Sequence, residues 1–446
     1  MSRILIQNID AITLDDENRV LRNTNIAIDG KRIAAIGDVP RDFAERADEI
    51  IDGRDHVALP AFFNAHTHAA MSLQRGWAED LPFDRWLNER IWVAESALIE
   101  EDVYWGAALA ACEMIRNGVV AFADHYFWMD QVARVVEEAG MKELLAWCIF
   151  GLSAAQEVGG ASLERTEEFV ARWQNAGDGR IKTILGPHSP YVCTPQFLQR
   201  VVNAAHRLGV GVHLHVAESQ EQVDRSLRDA KRGKTPIAHL ASLGIFDVPA
   251  IAAHCIYVSD DDIAILAEKR VTVPHCPKTY IKLAMGIPRV TDMLARGVNV
   301  ALGTDGAPSN NTLDVLESAR LATLLQKNAQ RDPEVLPNMQ VLKLATQNGA
   351  RAMGFTESGV LKVGAVADLI LFNFAKPHLI PRHDLAANVV HSAQAGDVDY
   401  VIADGRVLLR QGELTTLDEE RILREAEKRA FRLVGQELRM VREYRG

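Results

Sequence analysis

The sequence predicts an α/β protein: a (β/α)8 barrel of the TIM type with a small β-sandwich domain beside it. Short apolar runs, often rich in β-branched residues, recur eight times between residues 56 and 306 and alternate with stretches of helical periodicity. Strands that are apolar along their whole length suit a parallel sheet covered by helices, and eight such units close into a barrel. The flanking segments instead contain short alternating runs with Asp-Gly and Gly-Asp turns, which predict antiparallel strands.

The eight candidate strands of the barrel usually end in a polar or ionisable residue. They are 56–66, 119–125, 143–150, 181–188, 210–218, 250–255, 271–276 and 298–305. An open doubly wound sheet is the alternative fold. A dinucleotide-binding sheet of that kind normally has a Gly-rich first turn, and no GxGxxG motif follows any of these strands.

The same pattern divides the chain into four parts: 1–55 and 359–415 as the two halves of the β-sandwich, 56–358 as the (β/α)8 barrel and 416–446 as a C-terminal helix. Neither flank is long enough for a core of its own, so we expect their strands to pair in one small domain. The last stretch has helical apolar spacing on a charged background and is interpreted as a surface helix; a partner-binding helix is the alternative.

Composition and charge exclude several classes of partner. Hydrophobic residues make up 48% and charged residues 24% of the chain, as in ordinary soluble globular proteins. The formal net charge of −11 offers no basic surface for nucleic acid or an anionic membrane. The first residues lack the features of a secretory signal, and no apolar run approaches the roughly 18 residues of a membrane span. With five scattered cysteines, these features predict a cytoplasmic protein.

A metal site is predicted at one rim of the barrel. His66 and His68 are two residues apart on a strand and therefore share a face. His215 and Asp305 stand at the ends of other predicted strands, and all these ends meet at the same rim of a parallel barrel. Three imidazoles and a carboxylate suit Zn²⁺, with Fe²⁺ or Mn²⁺ as alternatives. A hydrogen-bonded core histidine at 215 and a helix N-cap at 305 are the competing structural interpretations.

The ordered motifs FNAHTH, GPHSPY, HLHVAES, AAHC and ALGTDGAPSNN resemble the amidohydrolase superfamily over nearly the whole chain. The similar branch comprises metal-dependent aminohydrolases, including S-adenosylhomocysteine/methylthioadenosine deaminases, guanine-type deaminases and triazine hydrolases. The resemblance implies a barrel enzyme with one metal ion per chain, bound by His66, His68, His215 and Asp305. Lys182 is not expected to bridge a second metal, because it lies near the start of its strand.

The resemblance also implies three catalytic residues. Asp305 would take a proton from the attacking water, and Glu218 would pass it to the ring nitrogen and the departing amine. His254 would steady the attacking water or the tetrahedral intermediate. An exposed helix-start glutamate and a core histidine are the structural alternatives for residues 218 and 254.

Residues 75–95 resemble the first-strand loop of adenosine-type deaminases, which implies that Trp86 and Glu95 contact substrate, together with His188 of GPHSPY. A helix core residue, a solvated glutamate and a structural histidine are the respective alternatives. The segment ELLAWCIFG contains no Arg that could bind a substrate carboxylate, and HCPKTYIKL has Thr279 and Tyr280 where a Ser-Asn pair is usual. Lys278 and Tyr280 therefore indicate contacts with a different ligand group.

We expect hydrolytic deamination of an amino-substituted N-heterocycle: a purine nucleoside, free purine or pterin rather than an s-triazine. A chlorotriazine hydrolase is the nearest alternative, but chloride needs no proton to depart and Glu218 would have no such task. A non-catalytic metal-binding barrel protein is the second alternative. A small heterocycle is the expected partner, and assembly into a homo-oligomer is left open.

Overall fold

Eighteen β-strands form two sheets in the part of the chain that the structure, a computed structural model, describes: residues 3–151, 160–229 and 233–441. In chain order the strands are β1 Arg3–Ile12, β2 Val20–Asp29, β3 Arg32–Ile36, β4 Glu49–Asp52, β5 His56–Pro60, β6 Phe62–His68, β7 Val119–Tyr126, β8 Lys142–Ile149, β9 Ile181–Pro187, β10 Val212–Val216, β11 Ala250–His254, β12 Thr272–His275, β13 Asn299–Leu302, β14 Asp305–Gly306, β15 Leu369–Asn373, β16 Val398–Ala403, β17 Arg406–Arg410 and β18 Glu413–Leu414.

The parallel sheet runs in the order β6, β7, β8, β9, β10, β11, β12, β13, and its last strand closes the ring. β13 pairs with β12, whereas β14, two residues further along the same segment, pairs with β6 through Asp305 and Thr67. Between them, the backbone N–H groups of Gly303 and Thr304 donate to carbonyls of the seventh and first strands. The predicted (β/α)8 barrel is confirmed, and the carboxyl ends of its strands face one rim.

The first predicted strand, 56–66, is two strands in the structure. β5 pairs with β1 and β15 in the other sheet, whereas β6 begins the barrel. Ala61 lies between them and donates its N–H to the carbonyl of Asp368. The run HVALPAFFNAH is apolar almost throughout, so its periodicity does not show where the chain passes from one sheet to the other. The domain boundaries at 55, 358 and 415 stay predictions, and His56–Pro60 pairs with the flanking strands.

The other sheet joins the two ends of the chain in the order β18, β17, β16, β15, β5, β1, β2, β3, with β4 beside β1. Successive side chains along its strands point into two different cores, because side chains of a β-strand alternate between the two faces of the sheet. Leu369 and Leu371 lie in a core of the small domain itself, whereas Ile370 and Phe372 belong to the core shared with the barrel. The N- and C-terminal segments therefore pair as predicted and pack against the amino end of the barrel, where Phe62 contacts Phe372.

Helices follow the barrel strands and cover their outer face. The helices of six or more residues are Glu100–Arg116, Met129–Ala139, Leu163–Trp173, Pro195–Leu208, Gln220–Arg228, Pro236–Ser242, Asp260–Glu268, Pro277–Lys282, Val290–Ala295, Val315–Gln330, Asn338–Ala345, Gln347–Ala352 and Glu419–Val441. The shorter ones are Arg41–Glu45, Phe83–Trp86, Trp92–Glu95, Ala176–Gly179, Ala307–Asn310 and Leu385–Ala387. None of the helices in the described ranges has the length and apolar content of a membrane span.

The last helix, Glu419–Val441, lies on the molecular surface beside the helix Glu100–Arg116. Its residues Ile422, Ala426 and Leu433 are buried, which accounts for the apolar spacing seen in the sequence. A buried carboxylate, Asp102, anchors it by accepting from Arg429 at 3.2 Å.

Candidate active site

A cleft of about 650 Å³ opens at the carboxyl ends of the barrel strands. His66 does not line it but lies fully buried behind it, with its ring centroid 4.9 Å from that of His68. The other predicted site residues all line the cleft: His68, Trp86, Glu95, His188, His215, Glu218, His254 and Asp305. The barrel thus brings together side chains that are as much as 239 positions apart in the sequence, from His66 to Asp305.

The four predicted metal ligands converge on one point. Nε2 of His68 lies 3.2 Å from Oδ1 of Asp305 and 3.3 Å from Nε2 of His215. Nε2 of His66 lies 3.7 Å from the same carboxylate oxygen. Ligands about 2.0–2.1 Å from a tetrahedral Zn²⁺ are separated by roughly 3.3 Å, so these spacings fit a single cation.

Hydrogen bonds at the opposite ring nitrogens leave each Nε2 free for that cation. Nδ1 of His68 donates to the carbonyl of His125 at 2.6 Å, and Nδ1 of His215 donates to the carbonyl of His188 at 2.9 Å. Metal-binding histidines usually have such a partner on the second nitrogen, which fixes the tautomer.

His66 gives the clearest test of whether these residues suit a bound metal ion. Its Nε2 is fully buried and has no hydrogen-bond partner among the described residues. An unpaired buried nitrogen costs free energy unless something binds it. The orphaned nitrogen, aimed at the same carboxylate as His68, therefore suits a divalent cation.

Two further histidines belong to this cluster and were not assigned to the site from the sequence. Nε2 of His213 lies 2.9 Å from Nδ1 of His66, and His125 lines the cleft while its Nε2 donates to the carbonyl of Gly186 at 3.0 Å. The signal for His213 was the HLH run, which places it two residues before His215 on the same face. Two other triads also bring ligand atoms within 4.8 Å, namely His68, His125, His215 and His66, His215, His254.

Asp305 faces the histidines rather than capping a helix with its side chain. Its Oδ1 accepts from the N–H of Gly306 at 2.9 Å, and its Oδ2 accepts from the hydroxyl of Ser309 at 2.9 Å. Burial alone would raise the pKa of this carboxyl, but while no metal is bound, His68 is protonated on both ring nitrogens, and its hydrogen bond and charge outweigh burial and lower the pKa to about 2. Asp305 is therefore ionised at neutral pH.

Glu218 differs from Asp305 although both carboxyl groups line the same cleft. Glu218 is 7% exposed and precedes the helix Gln220–Arg228, whose first turn is capped by Ser219. Burial, together with the negative charge of Asp305, raises the pKa of Glu218 to about 8. A carboxyl with a pKa close to neutrality can both accept and release a proton.

Left-handed backbone conformations concentrate at the strand ends around the site. The φ angles are +56° at Ala217, +80° at His254, +46° at Cys255 and +60° at Asp305. Residues other than glycine adopt such angles at a cost of about 1–3 kcal/mol, and they persist where the surrounding fold imposes them.

Burial lowers the pKa of His254 to about 4, so its ring is neutral at physiological pH.

The outer wall of the cleft comes from the segment 83–95. Trp86 is 6% exposed, and its ring stacks on that of Phe83 with centroids 6.0 Å apart. A π-helical turn, Leu87–Ile91, separates it from Glu95, whose pKa burial raises to about 7. Irregular turns of this type often accompany functional sites.

His188 completes the opposite wall. Its ring stacks on Phe150 with centroids 5.0 Å apart and an interplanar angle of 19°, and its Nδ1 lies 3.1 Å from the hydroxyl of Ser189. Burial lowers the pKa of His188 to about 3, so it is a neutral ring. None of the described residues that line the cleft is lysine or arginine.

The interpretation of Lys278 and Tyr280 as ligand contacts is wrong, because neither lines the cleft. Nζ of Lys278 binds the carboxylate of Glu317 at 2.7 Å, and Tyr280 is buried behind His254. The sequence placed both residues after a strand end but could not show which way their side chains point. Lys182 lies away from the rim, where its Nζ is 4.5 Å from the centroid of the Phe355 ring.

Comparisons with known proteins agree with this geometry. A sequence profile described as the amidohydrolase family matches residues 57–408. A protein of Pelotomaculum thermopropionicum named 5-methylthioadenosine/S-adenosylhomocysteine deaminase is 45% identical over 440 residues, covering 98% of this chain and 100% of its own. A protein of Dictyoglomus thermophilum with the same name is 46% identical and covers 97% and 99%, respectively.

Solved structures share the fold over almost the whole chain. An adenosine deaminase from Xanthomonas campestris with bound zinc superposes with a TM-score of 0.91 at 31% identity, covering 97% of this chain and 99% of that one. An atrazine chlorohydrolase from Arthrobacter aurescens, complexed with zinc, has a TM-score of 0.87 at 23% identity and covers 96% and 100%. At that lower identity, the second similarity concerns the fold alone.

Proposed function

The chain belongs to the amidohydrolase family and is a hydrolytic deaminase of an amino-substituted N-heterocycle. We propose that its substrates are purine nucleosides whose 5′ substituent carries no carboxylate. The deaminase chemistry is supported by the pair of carboxyl groups beside the histidine cluster, and the observation that carries the substrate proposal is the cleft lining, whose described residues include no lysine or arginine. Asp305 is ionised, and Glu218 has a pKa of about 8. One group can take a proton from water while the other supplies one to a leaving amine.

The metal is proposed to be one Zn²⁺ per chain, with Fe²⁺ and Mn²⁺ as the competing ions. His66, His68, His215 and Asp305 would hold it. When bound, such a cation acts as a Lewis acid and brings the pKa of water from 15.7 to about 7. The zinc in the similar adenosine deaminase structure supports this choice. Metal analysis of purified protein would check both the ion and the one-to-one ratio.

Proton movements are assigned to the residues that line the cleft. Protonated Glu218 donates its proton to the ring nitrogen, and Asp305 accepts one proton from the attacking water. The second proton of that water returns to Glu218, which passes it to the departing amine, and the proton held by Asp305 then restores Glu218 to its starting state. His254, neutral at physiological pH, donates a hydrogen bond to the oxygen that becomes negatively charged during attack. Water and the amino heterocycle are consumed, and the carbonyl heterocycle and ammonia are released.

The walls of the cleft suit a purine nucleoside. Trp86 and His188 offer ring faces for a heterocycle, and the Glu95 carboxyl is placed to accept from ribose hydroxyls. Further apolar side chains fill the outer wall: Phe83, Leu87, Ile91, Trp92, Phe127 and Phe150. Aromatic and aliphatic walls with a few polar groups are typical of sites for flat heterocycles.

The absence of a cation in the described lining argues against a substrate tail with a carboxylate. Recognition of a carboxylate normally uses a bidentate Arg or a Lys. Cys148 lines the cleft on β8, whereas Trp147 points outward and packs against Phe169. We therefore expect adenosine and methylthioadenosine to be better substrates than S-adenosylhomocysteine, although the relatives carry both substrates in their names.

Ammonia release from a panel of substrates tests the proposal. The panel contains adenosine, methylthioadenosine, S-adenosylhomocysteine, guanine, pterin and melamine, each at the same concentration with zinc-loaded protein. We expect kcat/KM for methylthioadenosine to exceed that for S-adenosylhomocysteine at least about tenfold, because a carboxylate without a cationic partner is costly to desolvate. Equal kcat/KM values for methylthioadenosine and S-adenosylhomocysteine would contradict the proposed specificity.

The same panel, with a chlorotriazine added, addresses the alternatives. Chloride release from a chlorotriazine without ammonia release from any nucleoside would favour the chlorohydrolase, and Glu218 argues against that result. Binding of metal with no turnover on any compound would favour a non-catalytic barrel. The cytoplasmic location and a homo-oligomeric state stay predictions.

A further inference from the structure

Tyr280 approaches the active site from behind and is not accounted for by the proposed chemistry. It lies in the helix Pro277–Lys282, is 1% exposed and does not line the cleft. Its hydroxyl oxygen lies 3.0 Å from the backbone nitrogen of Cys276 and 3.3 Å from Nδ1 of His254. The phenol therefore bridges the backbone after β12 and the imidazole at the end of β11.

The direction of both hydrogen bonds follows from the chemistry of the groups. A backbone N–H can only donate, so the Tyr280 oxygen accepts from Cys276. The single phenolic proton is then left to be donated, either to Nδ1 of His254 at 3.3 Å or to the thiol sulfur of Cys276. Sulfur is the weaker acceptor, so the proton goes to Nδ1 of His254, which is then unprotonated.

We propose that Tyr280 is a positioning residue that keeps His254 in the tautomer with its proton on Nε2. A neutral imidazole without a proton on Nδ1 carries it on Nε2, and this nitrogen is the one that points away from Tyr280. His254 lines the cleft, and its ring centroid lies 5.1 Å from that of His66. The tautomer thus presents an N–H donor, rather than a lone pair, to the reacting oxygen.

Tyr280 is the one hydrogen-bond partner recorded for either ring nitrogen of His254 in the described part of the chain. Without the phenolic hydroxyl, either ring nitrogen of His254 could carry the proton. Tyr280 selects one arrangement without touching substrate.

This inference rests on the proposed role of His254 for its kinetic consequence but not for its structural test. Zinc-loaded protein labelled with ¹⁵N-histidine is compared with its Tyr280→Phe variant by two-bond ¹H–¹⁵N spectra, with the His254 signals identified by their loss in His254→Gln. We expect wild type to show a protonated Nε2 and an unprotonated Nδ1. In Tyr280→Phe we expect signals of mixed or reversed protonation.

Kinetics give the second readout. We expect Tyr280→Phe to lower kcat about 10- to 100-fold with KM changed less than about twofold and with unchanged zinc content, as for other residues that orient a functional side chain. Tyr191→Phe is the matched control, because its buried hydroxyl also accepts from a backbone N–H, that of Ala217. It should leave the His254 signals unchanged.

Three results would overturn the inference. The first is a wild-type His254 with its proton on Nδ1. The second is a Tyr280→Phe variant whose His254 signals match those of wild type, even if its turnover falls. The third is a Tyr191→Phe variant that changes the His254 signals as much as Tyr280→Phe. If no compound of the panel is turned over, the proposed function fails while the spectra still test the tautomer.

Discussion

Two clusters of buried polar and charged groups, one at each end of the barrel, differ in how completely their members are paired. At the amino end, Lys142 is 2% exposed and its Nζ binds the carboxylates of both Asp368 and Asp404. Asp368 also accepts from Ser358 at 2.6 Å and from the N–H of Asp404 at 2.8 Å. Lys142, Asp368 and Asp404 are therefore paired with one another, and these contacts join the small domain to the barrel.

At the carboxyl end, polar groups are equally buried but incompletely paired. Nε2 of His66 has no hydrogen-bond partner among the residues that the structure describes, and the pKa of Glu218 is raised to about 8 because burial disfavours its charge. A fold tolerates such costs where a ligand compensates for them. In this molecule the paired charges around Lys142 link two domains, whereas the incompletely paired histidine and carboxyl groups lie at the candidate active site.

The largest effect is expected at the carboxyl end from Glu218→Gln. Loss of the proton carrier should lower kcat on the order of 10³-fold, or about 4 kcal/mol, with the metal retained. Steady-state ammonia release and metal analysis of the same sample would measure both quantities. A parallel loss of metal would show that Glu218 is a ligand and would contradict its assigned role.

A substitution at the amino end of the barrel should change the stability of the protein rather than its turnover. Lys142→Met leaves the buried carboxylate of Asp368 without its cation, whereas Asp404 keeps Lys31 at 3.6 Å. The loss should lower the free energy of unfolding by about 3 kcal/mol or more. The activity of the folded fraction should stay close to that of wild type. Urea unfolding followed by fluorescence gives the measurement.

Lys182→Met is the control for that variant. Its Nζ donates to the carbonyl of Gly354 and lies over the Phe355 ring, without a recorded carboxylate partner in the described ranges. Its cost should be clearly smaller. Equal destabilisation by both substitutions would mean that the carboxylate pairing of Lys142 contributes little.

A pH effect on stability is expected from Glu95, whose pKa burial raises from 4.5 to about 7. Between these values the folded protein binds more protons than the unfolded chain, so this residue lowers stability as pH rises through that window. Glu95→Gln should therefore gain up to about 3 kcal/mol over wild type at pH 8 and almost nothing near pH 4.5. Unfolding curves at the two pH values measure this difference, and an equal gain at both would refute it.

The smallest effect is expected from His213→Phe, which removes the acceptor for Nδ1 of His66. Metal affinity should fall about 10- to 100-fold, or about 1.4–2.7 kcal/mol, because His66 is no longer held in one tautomer. Competition with a chromophoric chelator would measure it. His213→Gln, whose amide oxygen can replace the lost acceptor, should restore most of the affinity; if it binds no better than the Phe variant, the hydrogen bond is not the cause.

Much of this site was predictable because its residues stand at strand ends. In a parallel barrel, the position of a residue along its strand fixes the rim to which it belongs, so His66, His68, His215 and Asp305 could be grouped from sequence order. The first strand was placed incorrectly because an apolar run does not show which sheet it joins. Lys278 and Tyr280 were misjudged because side-chain direction after a strand end depends on the turn that follows.

The sequence by itself determined the barrel, the pairing of the two chain ends and the histidine and carboxylate residues at one rim, since all of these follow from periodicity and residue type. Only the tertiary structure decided which nitrogen of each histidine is free, that Glu218 and Asp305 have pKa values on opposite sides of their usual range, and that Tyr280 stands behind His254. The reason is physical: protonation and hydrogen-bond direction depend on burial and on neighbours that the fold brings from distant positions.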